Sequence, residues 1–536
     1  MAIHPPERHR STPSIGMSHL LRLARALTTN ARSNRSSENR FDVVIHGGGV
    51  VGLALALALR ANHATESIAI AIVDRASIAL ETDVARALAN DDEEKLKTKK
   101  KSSRVVALTP RSIAFLDRVG AWESMKNHVR AFDAMQVWDG VGGGHVRYDA
   151  KECAVERLGA IVEVDVLRAA LEREIARQSG RVRRFAESEG ELRAAGDCAT
   201  SEGALRRTVV RRVRTTDGDS ERARGGEEVE LEARLVVAAD GPKSATRRGA
   251  KIRAFGWGYG QRAACGIVRT TRAHSTAWQR FLPTGPIALL PMGDGTYSNV
   301  VWTTTPEEAR RLTEEVTAEE FAREVDDALQ GRGKYASKYQ ENLNRLAALR
   351  AVEDAADMAF KPFARAVRTT LSRAAGVPPL PEDGDEALEF APRFTYPPDV
   401  TSAGEDSERA SFPLSMHHAL ELTKPRLALI GDAAHVVHPL GGQGLNLGLR
   451  DAELLADALS AACELGQDIG SVNALKPYAR ASVAANVPMM AALDGLQKLF
   501  SVDAYPVAFA RSIGLATINA TGPLRRQIAF YAMGGA

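Results

Sequence analysis

Cysteine is scarce in this chain. Its 536 residues hold four, Cys153, Cys198, Cys265 and Cys463, far apart and with no CxxC pair. That spacing argues against a disulfide framework or a zinc site and fits a reducing compartment. An excess of one charge is also missing: 70 Lys plus Arg stand against 67 Asp plus Glu, a formal +3. So even a balance argues against a dedicated nucleic-acid binder. No apolar run approaches the roughly 18 residues that span a bilayer. The longest, Leu53–Leu59 and Tyr505–Ala510, are short, and Arg511 stops the second. No Ser–His–Asp or Cys–His pattern appears, and Cys153, Cys265 and Cys463 read as small apolar residues. His435 and His438 have no third ligand nearby, so no metal is expected. What remains is an ordinary globular composition, 44% apolar and 26% charged, long enough for two to four domains.

The near-zero total hides an asymmetry. Residues 1–40 hold seven Arg against Glu7 and Glu38, a net of +5, while the other 496 residues hold 63 basic against 65 acidic. This leader has six Ser, and Leu20, Leu23, Ala24 and Leu27 would share one helical face with Arg22 and Arg25 off it. Arg-rich, Ser-rich and acid-poor composition marks an organelle transit peptide rather than a secretory signal. A disordered basic tail is the plainer alternative. Composition does not choose between mitochondrion and plastid.

Beyond the leader, Phe41–Ile45 reads as a buried strand, Val50–Arg60 as a helix and Ile68–Val73 as a second strand, a βαβ unit that predicts a parallel sheet. Residues 80–103, with Asp91–Glu94 and Lys99–Lys101, read as a solvated, disordered insertion. Residues 105–125 and 163–178 look helical, and 181–230 predicts a hairpin with long connections around Thr208–Val213. Val229–Ala239 reads as a buried strand. Alternation from 256 to 304 predicts a separate sheet. Residues 306–360 read as helices, 374–410 as loop, Leu427–Ile430 as a strand, Gly444–Cys463 as a helix and 474–536 as a helical tail. In that tail Met489, Met490, Leu493, Leu496, Leu499 and Phe500 give an apolar face for the core, a partner or a membrane.

Three motifs carry chemistry. Gly47-Gly-Gly-Val-Val-Gly52 is a GxGxxG between a strand and a helix, with Asp74 ending the second strand 22 residues later. Glycines there let a backbone approach a pyrophosphate, the helix start offers free N–H groups, and the acid can hold a ribose hydroxyl. Ala239-Asp240-Gly241 follows an apolar strand, with Ser244 and Arg247 after it. Gly431-Asp432-Ala-Ala-His435 follows another, leading to Pro439, Gly441-Gly-Gln-Gly444 and Asn446. Asp432 can hold a polyol hydroxyl, and the helix start near Gly444 can stabilise developing negative charge. Gly140–Gly144 lacks a strand–helix context and carries no reading. No second GxGxxG exists, so no separate nicotinamide domain is expected.

These motifs, in this order, resemble the flavin monooxygenases of the para-hydroxybenzoate hydroxylase class. The resemblance covers roughly 41–536 outside the insertions. Arg104–Ser112, Arg130–Asp139, Trp278–Pro291, Phe412–Leu414 with His418, and Arg426–His435 are similar to the ubiquinone-biosynthesis branch, of the mitochondrial ring C5-hydroxylase type. The resemblance implies an α/β fold, with a Rossmann-like FAD-binding domain interleaved with a β-sheet substrate domain, plus C-terminal helices. The FAD-binding domain is drawn over 41–125, 155–255 and 411–465, with insertions near 80–103 and 185–228. The substrate domain takes 126–154 and 256–410, and the helical region 466–536.

The resemblance also implies roles. Gly47, Gly48, Gly49 and Gly52 cradle the FAD pyrophosphate, Asp74 and Arg75 serve the adenosine side, and Arg104 contacts the flavin side. Asp240 and Gly241 lie near the pyrophosphate, and Asp432 holds the ribityl chain. Pro439, Gly442, Gln443, Gly444, Leu445 and Asn446 line the flavin ring system, with no acid or base assigned. The sheet around Leu289, Pro291 and Trp302 is read as facing substrate. Asp74 stands where Glu is commoner, Val164 where Asn or Gln is frequent, and Leu449-Arg450 where Phe-Gly often precedes Asp451.

The implied activity is hydroxylation of a polyprenylated 4-hydroxybenzoate-type ring at carbon 5, by O2 through a flavin hydroperoxide. Electrons would come from ferredoxin and its reductase, or from NAD(P)H. Location would be the matrix face of the mitochondrial inner membrane, peripherally bound, in a ubiquinone-biosynthesis complex. Two other readings stay open: an NAD(P)H-driven hydroxylase of a small soluble phenol, and an FAD-stabilised scaffold subunit.

Overall fold

A computed structural model describes residues 39–78, 84, 88, 102–178, 182–193, 205–212, 228–337, 392–403 and 409–535. The leader 1–38, nearly all of the charged insertion and the segment 338–391 lie outside the described residues.

The first sheet is built from short strands that are apolar on both faces, as a covered parallel sheet requires. Strand β1 (Arg40–His46) pairs in parallel with β2 (Ile70–Val73) on one side and β3 (Glu228–Ala238) on the other. Strand β4 (Leu427–Leu429) continues the sheet in parallel beyond β3. Val182–Phe185 extends the β2 side, and Ser188–Leu192 with Arg206–Arg212 adds an antiparallel flap on β3. Helix α1 (Val50–Ala61) crosses from β1 to β2 and buries Leu53, Leu55, Leu57 and Leu59 completely. Because β1, β3 and β4 are parallel, the residues after each come out at one edge of the sheet. Gly47, Asp240 and Gly431 therefore begin neighbouring loops.

Helix α2 (Gln443–Glu464) packs against α1, and α3 (Val472–Phe500) packs against α2. Two further helices, α4 (Tyr505–Ala520) and α5 (Gly522–Ala532), complete the tail.

The second sheet has nine described strands. Its central ones are Ala254–Thr270, Tyr297–Thr304, Gly285–Met292, Thr276–Leu282 and Ala134–Asp139, in that spatial order. Alternation gives each strand a back face and a front face. The back face packs Trp138, Trp278, Leu289, Val300 and Trp302 against Phe321, Val325 and Leu329 of helix Ala318–Gln330. The front face splits between two clusters. Ile267, Ala277 and Met292 join Ala529 and Met533, and Phe281 joins Met416, Val437, Leu440 and Met489.

Some expectations change. Residues 105–125 are not one helix: Val105–Leu108 is a strand paired with Gly159–Glu163, and Pro110–Arg118 is the helix. Consecutive β-branched residues favour the strand, and Thr109 caps the helix by accepting from the Ser112 N–H, with Pro110 in its first turn. Within the stretch read as loop, Val400–Ala403 is a strand. Ala410–Ala419, drawn with the FAD-binding half, is a long strand of the second sheet, paired with Ala254–Thr270. In the tail, Met489, Met490, Leu493 and Phe500 are buried, whereas Leu496 and Leu499 are exposed.

Candidate active site

The first loop is shaped by close approach. Gly47 has φ +111, and a Cβ there would lie 2.2 Å from the Ala239 carbonyl oxygen. A Cβ on Gly52 would lie 2.1 Å from the Gly47 carbonyl oxygen, and one on Gly48 would lie 2.8 Å from Asp74 Oδ2. Gly49 differs, since a Cβ there would meet nothing within 4 Å, and the same holds for Gly241 across the cleft. The start of α1 has no side-chain cap and no acid in its first turn. Its free N–H groups thus open on an uncrowded, uncharged cradle, which fits the pyrophosphate of FAD.

The acids around this cradle are tied down. Arg168 Nη2 donates to Asp74 Oδ2 at 3.2 Å. Arg75 is exposed and pairs with Glu189 at 2.8 Å. Asp240 accepts from the Ser244 hydroxyl, the Thr246 N–H and the Thr246 hydroxyl. Thr246 has then spent its proton, so it accepts from His46 Nδ1 at 2.8 Å. Thr208 serves the other ring nitrogen of His46 at 3.0 Å. Burial lowers His46 to a pKa of about 4, against a smaller opposing pull from Asp240. His46 is therefore a neutral post directly beneath the glycine loop.

Gly431 of the third loop and Gly448 of α2 both lie against Val51 in the first turn of α1. Asp432 is exposed, and desolvation by the protein around it raises its carboxyl pKa, with His435 pulling the other way. Beneath the loop lies a buried hub that sequence reasoning passed over. Asp451 accepts from Gly431 N–H at 2.9 Å, His435 Nε2 at 2.6 Å, Ser482 hydroxyl at 2.6 Å and Asn486 Nδ2 at 3.1 Å. Burial opposes charge on both members of the His435–Asp451 pair. Their mutual attraction prevails, raising the His435 pKa and lowering that of Asp451. The available signal was an acid in the middle of an apolar helix, with Ser482 and Asn486 spaced four apart on the next.

At the start of α2, Gly441 and Gly442 adopt φ +66 and φ +64, conformations that favour glycine. The turn is closed by the Gly442 N–H donating to Pro439 O, and α2 also begins without a side-chain cap or an early acid. Asn446 fixes this turn by donating to Ala107 O and Gly442 O and accepting from the Thr109 N–H and the Ser112 hydroxyl. Gln443 donates to Gly441 O and Ala532 O, linking the turn to α5. Leu445 is half-buried against the main core, and a Cβ on Gly444 would lie 3.8 Å from Val437. Arg104 is exposed in the loop before Val105–Leu108.

The substrate-facing expectation for Leu289 and Trp302 is corrected. They are 0% and 1% exposed on the back face of the second sheet, inside the core beneath helix Ala318–Gln330. Pro291 shares the strand face of Leu289 and is buried too. The alternate residues, Ala288 and Leu290, hold the front face. Among the described residues, no group of three His, Cys, Asp or Glu side chains could hold a metal.

A βαβ unit with a glycine cradle, two further loops converging on it and a separate sheet facing the cleft define the class of FAD-dependent aromatic hydroxylases. The family described as "FAD binding domain" matches residues 94–335 and 366–481. Ubiquinone biosynthesis monooxygenase COQ6, mitochondrial, of Mus musculus is 33% identical, over 93% of this chain and 92% of its own. The Homo sapiens relative of that name is also 33% identical, over 93% and 94%. This chain belongs to that family of FAD-dependent ubiquinone biosynthesis monooxygenases. Among solved structures, p-nitrophenol 4-monooxygenase PnpA of Pseudomonas putida DLL-E4 shares the fold. Its TM-score is 0.58 at 16% identity, covering 92% of this chain and 98% of that one.

Proposed function

We propose that this protein hydroxylates ring carbon 5 of a polyprenylated 4-hydroxybenzoate-type precursor of ubiquinone, in the mitochondrion. The observation that carries the site is the convergence of three strand-end loops on a cradle where Gly49 and Gly241 face open space. Family membership supports the reaction.

In this reading the N–H groups at the start of α1 hold the pyrophosphate, with Gly241 opposite and Asp240 fixing that side. Asp74, oriented by Arg168, and Arg75 serve the adenosine end, and Asp432 serves the ribityl chain. Arg104, Pro439, Gly442, Gln443, Gly444, Leu445 and Asn446 border the flavin rings. When bound, FAD supplies activation of dioxygen for insertion of one oxygen atom into an electron-rich ring. The protein contributes three things. The α2 start offers uncapped N–H groups to negative charge on the pyrimidine edge. The apolar walls at Val437, Leu440 and Leu290 exclude water. The Asn446 bonds hold the turn in place without a mobile part.

The electron donor in this reading is ferredoxin with its reductase. The protein works as a peripheral member of a biosynthetic complex at the matrix face of the inner membrane. No helix among the described residues is long and apolar enough to cross a membrane. Leu496, Leu499, Val502 and Tyr505 are exposed near the α3–α4 turn, which supports contact with a lipid surface or partner. Mass spectrometry of the quinone intermediates in cells lacking the protein tests the proposal. Loss of ubiquinone with accumulation of a precursor lacking the C5 oxygen is expected; normal ubiquinone with no precursor overturns it.

A further inference from the structure

The front face of the second sheet is apolar across its two central rows, apart from two amides. One row runs Val137, Gln279, Ala288, Val301 and Cys265 across neighbouring strands. The next runs Met135, Ala277, Leu290, Asn299 and Ile267. Asn299 is spoken for on one side, where Nδ2 donates to Ser103 O at 2.9 Å, but its Oδ1 is buried without a partner. Gln279 is 8% exposed, and its amide has no hydrogen-bond partner among the described residues. Its amide atoms are not among the fully enclosed unpaired ones, so the amide opens on the space in front of the sheet, where a ligand can reach it.

Its direction follows from its neighbours. Trp278 and Arg280 point to the back face, where Trp278 joins the core and Arg280 donates to Ala328 O and Tyr335 O. On the side of Gln279, Ala277 belongs to the cluster containing Ala107, and Phe281 to the cluster containing Val437 and Leu440. The Pro439–Gly444 turn lies between the same clusters. Leu440 sits in one, and a Cβ on Gly442 would come 3.1 Å from Ala107 in the other. Gln279 thus lies on the side of the sheet that carries the flavin-side turn, and Ala288, Leu290 and Val301 beside it are only half-buried.

We propose that the Gln279 amide hydrogen-bonds an oxygen substituent of the substrate's aromatic ring and so sets which ring edge meets the Pro439–Gly444 turn. This rests on the hydroxylase reading above. An amide offers both a donor and an acceptor, so it can hold a hydroxyl or a methoxyl. No Lys, Arg or His stands in either row, so neutral groups orient the ring there. A site built to hydrogen-bond one oxygen discriminates against the analogue that lacks it.

The test uses the full FAD-loaded protein and 4-hydroxybenzoates carrying a short prenyl chain at carbon 3, with binding followed through the flavin absorbance. Replacing the C4 hydroxyl, the one oxygen bonded to the ring of such an analogue, by hydrogen should weaken binding to the wild type about tenfold. Gln279→Leu should weaken binding of the complete analogue by the same factor, keep full FAD content, and no longer distinguish that oxygen. Gln279→Met serves equally if the leucine variant does not fold. The proposal is overturned if loss of the C4 hydroxyl does not matter to the wild type, or if the variant discriminates as the wild type does. A wild type that binds FAD but none of the prenylated phenols refutes the hydroxylase reading instead.

Discussion

The imidazole of His435 and the carboxylate of Asp451 stand 2.6 Å apart with 1% and 0% of their side chains exposed. This pair ties the loop bearing Asp432 to α2, and through Ser482 and Asn486 to α3. Removing one partner of a buried pair leaves a desolvated charge, at a cost of about 3–5 kcal/mol. Asp451→Ala is therefore expected to lower the thermal midpoint and the flavin-to-protein ratio together. Ser482→Ala removes one donor, costs about 1 kcal/mol and leaves flavin content near normal. Unchanged flavin content in Asp451→Ala would show that the hub does not govern the loop.

The glycine loop separates two kinds of damage. Gly52→Ala pushes a methyl against the Gly47 carbonyl, 2.1 Å away, and should impair folding itself. A Cβ at Gly49 meets no protein atom within 4 Å, so the fold should survive Gly49→Asp, which places a negative charge in the cradle. Circular dichroism should be native for Gly49→Asp, with FAD absent after gel filtration.

Acid should weaken the protein well before its carboxylates titrate. His46, His274 and His438 are lowered by burial from 6.5 to about 4. Above pH 6.5 they are neutral folded or unfolded. Between pH 6.5 and 4 only the unfolded chain takes up those protons, so stability falls as pH falls, by roughly 1.4 kcal/mol per pKa unit per group. His435, raised above 6.5, is charged in both states over that range and adds no slope; its contribution fades instead as pH rises through its folded pKa. Asp432, with its raised carboxyl pKa, offsets a little at the acid end. Denaturant melts at pH 7, 6 and 5 should show a steady decline, and His46→Asn should flatten it.

A second buried pair fastens the tail. Arg511 meets both Asp139 oxygens, at 2.7 and 3.0 Å, with neither side chain more than 1% exposed. Asp139→Ala should cost about 3–5 kcal/mol, whereas Asp139→Ala with Arg511→Met should recover much of it. A double variant no more stable than the single one would argue against an unpaired guanidinium as the cause.

The parts legible in the sequence were local. Each glycine motif follows an apolar strand, and strand, turn and helix lie within a few residues, so their positions at strand ends could be read directly. Which face of the second sheet meets the cleft could not. Alternation separates Leu289 from Leu290 but does not say which side helix Ala318–Gln330 covers. Val105–Leu108 reads as part of a helix in the sequence because its strand partner lies some fifty residues away, at Gly159–Glu163. Asp451 is hidden for the same reason, since its partners come from two other segments, the Gly431–His435 loop and α3.

The bond from Gln443 to the carbonyl of Ala532 has a consequence for how the molecule comes to exist. β1 lies near the start of the described chain, β4 must slot in beside β3 much later, and the turn at Gly442 is braced by the last residue of α5. During synthesis the glycine loop at Gly47 thus waits for nearly the whole polypeptide before its cleft is complete. Losing only the final helix would leave a protein with an intact sheet and an unbraced site, so a late stop codon would act as an active-site lesion.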